Sequence, residues 1–143
     1  MEITSEDLKI INLFESATGV MPSDMVLIDD GIVFLVDGPS LGKAIGKKGV
    51  NIQKIRNLLR GKNVLIAKDS DEPESFIRGF FNNIEIMEFE LREAPGQKVA
   101  FITIPDSQRG IAIGKGGIRV KAAKEFLKRK FGADLSLRTR RTE

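Results

Sequence analysis

Two short phrases in this chain place glycine and lysine where they could grip an anion: Ala44-Ile45-Gly46-Lys47-Lys48-Gly49-Val50 and, 68 residues on, Ala112-Ile113-Gly114-Lys115-Gly116-Gly117-Ile118. In each, a pair of glycines with two residues between them separates an apolar approach from the start of a helical pattern. Glycine accepts the backbone angles that a sharp joint between helices needs, and its missing side chain lets a ligand reach the main chain. The amides opening the next helix, around Gly49–Asn51 and Gly117–Arg119, should carry partial positive charge from unsatisfied donors and the helix dipole. Lys47, Lys48 and Lys115 add formal charge, joined by Lys43, Lys54 and Arg56 in the first copy and by Arg119, Lys121 and Lys124 in the second. Contacts of this kind hold a sugar-phosphate chain without reading its bases, and they weaken as salt rises. The expected binding residues are therefore Gly46, Lys47, Lys48, Gly49, Val50, Asn51 and Lys54, with Gly114, Lys115, Gly116, Gly117, Ile118, Arg119 and Lys121 in the second copy.

Charge follows the same two-fold pattern. The net charge of the 143 residues is only +3, yet residues 1–37 hold eight acidic residues against one basic, and residues 38–68 hold eight basic and no acidic ones. Residues 69–108 then hold nine acidic against three basic, and residues 109–141 hold eleven basic against two acidic. Each basic block contains a glycine phrase. A single basic run reads as a solvated face; two runs on the same motif point to a polyanion.

Other chemistries fare poorly. A P-loop fails because Lys43 stands where its second glycine belongs and Lys115 is followed by Gly116; the dinucleotide fingerprint fails because Arg119 replaces its last glycine. Histidine, cysteine, tryptophan and tyrosine are absent, which removes disulfides, Cys/His zinc sites and the commonest general bases and thiol nucleophiles. The acidic stretch Asp69, Asp71, Glu72, Glu74 has Pro73 where a calcium loop wants another oxygen ligand, so no metal and no cofactor are expected. An enzyme is not expected either. The N-terminus is acidic and lacks a signal-peptide pattern, and no apolar run is long enough for a membrane span, so a cytoplasmic protein with no membrane partner is the expectation. The phenylalanines lie mainly in apolar runs, with Phe34 and Phe101 expected in the core and no aromatic stacking strand of the RRM kind. An aliphatic groove beside each loop would draw on Val50, Ile52, Val64 and Ile66, or on Ile118, Val120, Leu135 and Leu137.

The elements that must position these loops come in two rounds. Thr4 or Ser5 can cap a helix carrying Leu8, Ile11, Phe14 and Ala17, stopped by Gly19. Met25–Ile28 and Ile32–Val36 read as strands around an Asp30-Gly31 turn. A short helix at 40–45, the loop at 46–49, a helix with Val50, Ile52, Ile55, Leu58 and Leu59 on one face, and a strand at Asn63–Ala67 complete the round. The polar stretch 69–75 marks a boundary. Beyond it come a helix at 75–83, a strand over Ile84–Leu91, a turn at Ala94-Pro95-Gly96, a strand over Val99–Ile104, and a short helix before the loop at 114–117. A helix with Ile118, Val120, Ala123, Phe126 and Leu127 and a strand over Ala133–Leu137 close the second round. The fold class is α+β, with two tandem modules, 1–70 and 71–143, each a three-stranded sheet packed by helices. Modules this small and so closely linked are expected to form a near-rigid pair.

An order of helix, two strands, helix, Gly-x-x-Gly loop, helix and strand is similar to the type II KH module, and Ile45–Ile52 and Ile113–Val120 look like its signature. In that module the loop clamps four backbone nucleotides. Two such modules over almost the full length resemble the archaeal NusA-like family. The resemblance implies a factor that binds nascent, single-stranded RNA in transcription termination or antitermination, and a monomer is expected. Relative to bacterial NusA, neither the N-terminal polymerase-binding domain nor the OB-fold domain is expected from these residues, which leaves direct contact with RNA polymerase open. The alternatives are a ribosomal RNA binding or ribosome-assembly role, and a protein scaffold whose acidic faces dock a basic partner.

Overall fold

In the computed structural model the chain forms two compact units, one ending at Asp69 and the other beginning at Ser70. Residues 3–141 are described; Met1 and Glu2 of the acidic start, and Thr142 and Glu143, with the outer limits expected for the two modules, lie outside the described residues.

The first unit opens with α1 (Ser5–Thr18), capped reciprocally by Thr4 and Asp7: each backbone N–H donates to the other's side chain at 3.1 Å. Gly19, at φ 74°, ends the helix in the left-handed conformation. The buried face is Ile10, Ile11, Phe14 and Thr18, whereas Leu8, expected on that face, is 50% exposed. Strand β1 (Asp24–Ile28) pairs antiparallel with β2 (Gly31–Val36), which pairs in parallel with β3 (Asn63–Lys68). Ile28 lies directly opposite Gly31, so the turn is Asp29-Asp30 rather than the expected Asp30-Gly31, and Asp29 takes φ 50° to close it. Between β2 and β3 come α2 (Leu41–Ile45) and α3 (Val50–Leu58). Their core holds Ile32, Phe34 and Val36 from alternate positions of β2, packed with Ile10, Ile11, Ala44, Ile55 and Val64. Phe14 stacks on Phe34 with ring centroids 4.2 Å apart.

The second unit repeats the order. Helix α4 (Pro73–Phe80), with proline in its first turn, precedes β4 (Glu88–Ala94), β5 (Gln97–Pro105), α5 (Arg109–Ile113), α6 (Ile118–Phe131) and β6 (Asp134–Arg140). Again the middle strand pairs antiparallel with the first and parallel with the last. Phe76, Phe80 and Phe126 meet edge-to-face or tilted at centroid distances of 5.6 to 6.4 Å, and Leu127, Ala122 and Ala123 of α6 are fully buried with them.

Further expectations change in this unit. Helix α4 ends at Phe80 rather than at 83. Strand β4 begins at Glu88, because Ile84 and Ile86 are buried in the connection and main-chain pairing with β5 starts only at Met87, whose N–H donates to the Thr103 carbonyl at 2.8 Å. Phe101 is not in the helix-packed core: Ala100, Ile102 and Ile104 take that face of β5, leaving Phe101 on the other. There the guanidiniums of Arg92 and Arg138 lie 4.8 and 4.3 Å from its ring centroid.

Candidate nucleic-acid interface

Each loop starts where a five-residue helix ends on glycine. The Gly46 N–H donates to the Gly42 carbonyl at 2.9 Å, and the Gly114 N–H to the Gly110 carbonyl at 3.0 Å. The chain then leaves the helix at φ 80°, ψ 163° at Gly46 and φ 81°, ψ 169° at Gly114, a conformation that is essentially confined to glycine. Space makes the same demand. A Cβ on Gly46 would lie 2.9 Å from the Asn51 amide nitrogen, and one on Gly114 would lie 3.0 Å from that of Arg119.

One tight turn follows, with two consecutive left-handed residues. They are Lys48 (φ 56°) and Gly49 (φ 76°) in the first loop, and Gly116 (φ 64°) and Gly117 (φ 80°) in the second. The two backbones agree closely, although lysine occupies in one the strained position that glycine occupies in the other. Lys47, Lys48 and Lys115 all project as exposed side chains, and among the described residues they make no ion pair.

The amides behave differently from the sequence expectation. The Gly49 and Gly117 N–H groups donate back to Gly46 and Gly114 at 3.0 Å, and those of Val50 and Ile118 donate to the Lys47 and Lys115 carbonyls. These four donors are engaged inside the loop, so the formal charge of the lysines carries more of any attraction for a phosphate. The dipole still contributes. Neither α3 nor α6 has a side-chain cap or an acidic residue in its first turn, so neither helix opposes its own positive end.

Other expected residues separate into exposed and committed. Lys54 and Lys121 are exposed one turn beyond the loops. Val50 is 55% exposed, but its counterpart Ile118 is only 4% exposed, so the second loop offers main chain there and no side chain. Of the residues expected to line a groove, Val64 and Leu135 are buried, while Ile52 and Ile66, and their counterparts Val120 and Leu137, are half-buried.

Asn51 and Arg119, expected to face the ligand, instead turn back onto the protein. The Asn51 Nδ2 donates to the Lys43 carbonyl at 2.9 Å. At the equivalent place in the second unit an Arg119 terminal nitrogen donates to the Ile111 carbonyl at 3.2 Å. The other terminal nitrogen of Arg119 donates to the Phe80 carbonyl at 3.4 Å and to Asn83 Oδ1 at 2.5 Å, and the guanidinium lies 5.3 Å from the Phe81 ring centroid. Burial holds Arg119 below the ordinary arginine range. Asn83 carries no signal in the sequence; it lies 36 residues from Arg119, with no spacing to connect them.

Residues 74–138 match the KH domain family. The chain is 33% identical over 129 residues to a probable transcription termination protein NusA of Methanocaldococcus jannaschii, across 90% of this chain and 70% of that protein. It is 26% identical over 134 residues to the protein of the same name in Halobacterium salinarum, across 94% of this chain and 95% of that one. With the transcription termination/antitermination protein NusA of Bacillus subtilis it shares 29% identity over 87 residues, only 23% of that longer protein. Among solved structures, the crystal structure of APE1850 superimposes with a TM-score of 0.79 and 33% identity, covering 96% of this chain and all of that one. No helix among the described residues is long and apolar enough to cross a membrane.

Proposed function

The chain belongs to the NusA family of KH-domain proteins, and from that membership we propose that it binds single-stranded RNA through its two Gly-x-x-Gly loops and acts in transcription termination or antitermination. The observation that carries this reading is the doubled loop: one backbone path, used twice, that presents exposed lysines, without an ion pair among the described residues, beside a helix start that has no side-chain cap. RNA in single-stranded form suits that surface, because its backbone can bend over a convex turn while its bases lie against half-buried aliphatic side chains such as Ile52 and Val120. Lys47, Lys48 and Lys115 hold phosphates; Lys54 and Lys121 extend the track along the following helices. The protein does no chemistry on the RNA. RNA polymerase is a partner at the level of the elongation complex, reached through the transcript.

Titration of a labelled single-stranded RNA against the full chain tests the binding, with a duplex of the same sequence as competitor. The expected result is a preference for the single strand and a log-log salt dependence with a negative slope of about 0.7 per phosphate contacted. Equal affinity for the duplex, or affinity insensitive to salt, overturns the reading. In-cell crosslinking then separates nascent transcripts from ribosomal RNA as targets, and a predominance of ribosomal RNA would move the role to ribosome assembly.

A further inference from the structure

Positions 51 and 119 are equivalent in the repeat, and both side chains do the same thing. Each rises from the first turn of the helix after the loop and donates to a carbonyl in the helix before it, at Lys43 or Ile111. Such a bond spans the loop from behind and sets the angle between the two helices, which in turn decides where the intervening lysines stand. The two braces differ in strength. Asn51 makes one such bond, whereas Arg119 spreads one charged fork over the carbonyls of Ile111 and Phe80 and the side chain of Asn83, with its flat face against Phe81.

The loop with the stronger brace is also the loop with more glycine. Gly114, Gly116 and Gly117 leave three of its four positions without a side chain, against two of four in the first. Glycine widens the range of unfolded and misdirected conformations, so a loop made of it loses more entropy when it is held in one shape. A rigid anchor supplied from outside the loop offsets that loss before any ligand arrives.

Building on the RNA-binding reading above, we propose that Arg119 is a positioning residue that pre-shapes the second loop by tying it to the end of α4 and the segment after it, and does not itself contact RNA. The conformation of Gly114–Gly117 therefore depends on Phe80 and Asn83, residues outside the loop, in a way that Gly46–Gly49 has no counterpart for among the described contacts.

The test uses the full chain with Arg119→Ala, Arg119→Lys and Asn83→Ala, read by amide hydrogen exchange without RNA and by salt-dependent titration of a labelled single-stranded RNA. Arg119→Ala should speed exchange across Gly114–Gly117 and not across Gly46–Gly49, and should weaken RNA binding about tenfold, the equivalent of one charge-assisted hydrogen bond. The salt slope should stay as in the parent chain, because no phosphate contact is lost. Arg119→Lys should behave like Arg119→Ala, since a single ammonium cannot span the three acceptors. Asn83→Ala, which changes no charge, should move both readouts the same way by less, and it remains informative if Arg119→Ala does not fold. The proposal is overturned if exchange is unchanged while the salt slope falls by about 0.7, or if Arg119→Lys restores binding, because the guanidinium would then be a phosphate ligand. Should the parent chain bind no RNA, the functional reading fails alone; the exchange data still decide whether the brace shapes the loop.

Discussion

The two loops follow one backbone path with different side chains. Gly46 and Gly114 share their angles to within a few degrees, and the left-handed pairs that follow are close as well, yet Lys48 corresponds to Gly116, Asn51 to Arg119, and exposed Val50 to buried Ile118. The sheets diverge in the same way: every residue of β2 is buried, while one face of β5 carries Phe101 under two exposed arginines. What is held constant between the units is the route of the main chain past the loop. Charge, apolar exposure and bracing are each distributed differently around it. Substitutions at the shared positions should therefore act alike in both units, and those at the divergent positions should act in opposite directions.

The strongest way to break this comparison is at the first glycine of each loop. Gly46→Ala and Gly114→Ala add a Cβ that would sit 2.8 Å from Asn51 Cγ or 2.7 Å from Arg119 Cβ, at a backbone angle that disfavours any side chain. Each should destabilise its own unit by about 3 kcal/mol in urea denaturation. At the second glycine the added carbon meets nothing closer than 3.5 Å at Gly49, and only the flexible end of Lys121, at 3.3 Å, at Gly117. Alanine there should cost about 1 kcal/mol, the conformational penalty alone. Equal effects at first and second glycines would mean that the close approach of the following helix to Gly46 and Gly114 does not set the cost.

Charge reversal comes next. Lys47→Asp with Lys48→Asp should weaken RNA binding about a hundredfold near 0.1 M salt and lower the salt slope by about 1.4, while Lys115→Asp should give about tenfold and 0.7. Urea midpoints should hardly move, since none of these lysines pairs with a carboxylate among the described residues. If the single change outweighs the double one, the second loop dominates and loop charge is a poor guide to its contribution.

Much of this is legible in the chain, for reasons that also explain what is not. The loops, their flanking helices and the third strand of each sheet follow from glycine spacing and local periodicity, which are short-range signals. Burial on the helices is harder to read. Val50 and Leu58 fit the apolar stripe of α3 by spacing, but they stand at the two ends of the nine-residue helix and both are more than half exposed, and of its residues only Ile55 is fully buried. Phe101, an aromatic in an apolar run, has the local signature of a core residue. The alternation that puts Ala100 and Ile102 inward decides otherwise, and the arginines that cover it come from β4 and β6. Arg119, by its place after the loop, has the signature of a phosphate ligand. Its acceptors at Phe80 and Asn83 are brought to it by tertiary packing, which no local pattern encodes.

A swap at the left-handed position sharpens the comparison further. Lys48 holds φ 56°, which costs a side-chain-bearing residue on the order of 1 kcal/mol that Gly116 avoids. Lys48→Gly should stabilise the first unit by up to about 1 kcal/mol and weaken RNA binding several-fold. Gly116→Lys should do the reverse in the second, a loss of stability with a gain in affinity. Opposite signs in both readouts would identify Lys48 as strain retained for its charge. A Lys48→Gly variant that is less stable than its parent would show instead that glycine's entropy in the unfolded chain outweighs the relief.

The smallest effect expected is that of pH, and it bears on both loops at once. With no histidine, cysteine or tyrosine in the chain, no side chain of a type that ordinarily titrates between about pH 6 and 9 is present, and a phosphodiester stays ionised throughout that range. RNA affinity at constant ionic strength should therefore be flat from about pH 6 to pH 9. The resolved shifts agree with that window. Glu90 is held below the ordinary carboxylate range chiefly by its hydrogen bond from Arg92, at 2.8 Å, so its small, solvent-screened contribution is present above that range and is lost as pH falls through the lowered value. Arg119 is lowered by burial but starts so high that it stays charged throughout. Anisotropy titrations of the parent chain, of Lys115→Asp and of the double lysine variant across this range would expose an inflection in either loop. An inflection that disappears with only one set of substitutions would mean that one loop recruits a titrating group the other lacks, and the equivalence of their chemistry would fail even though their backbones coincide.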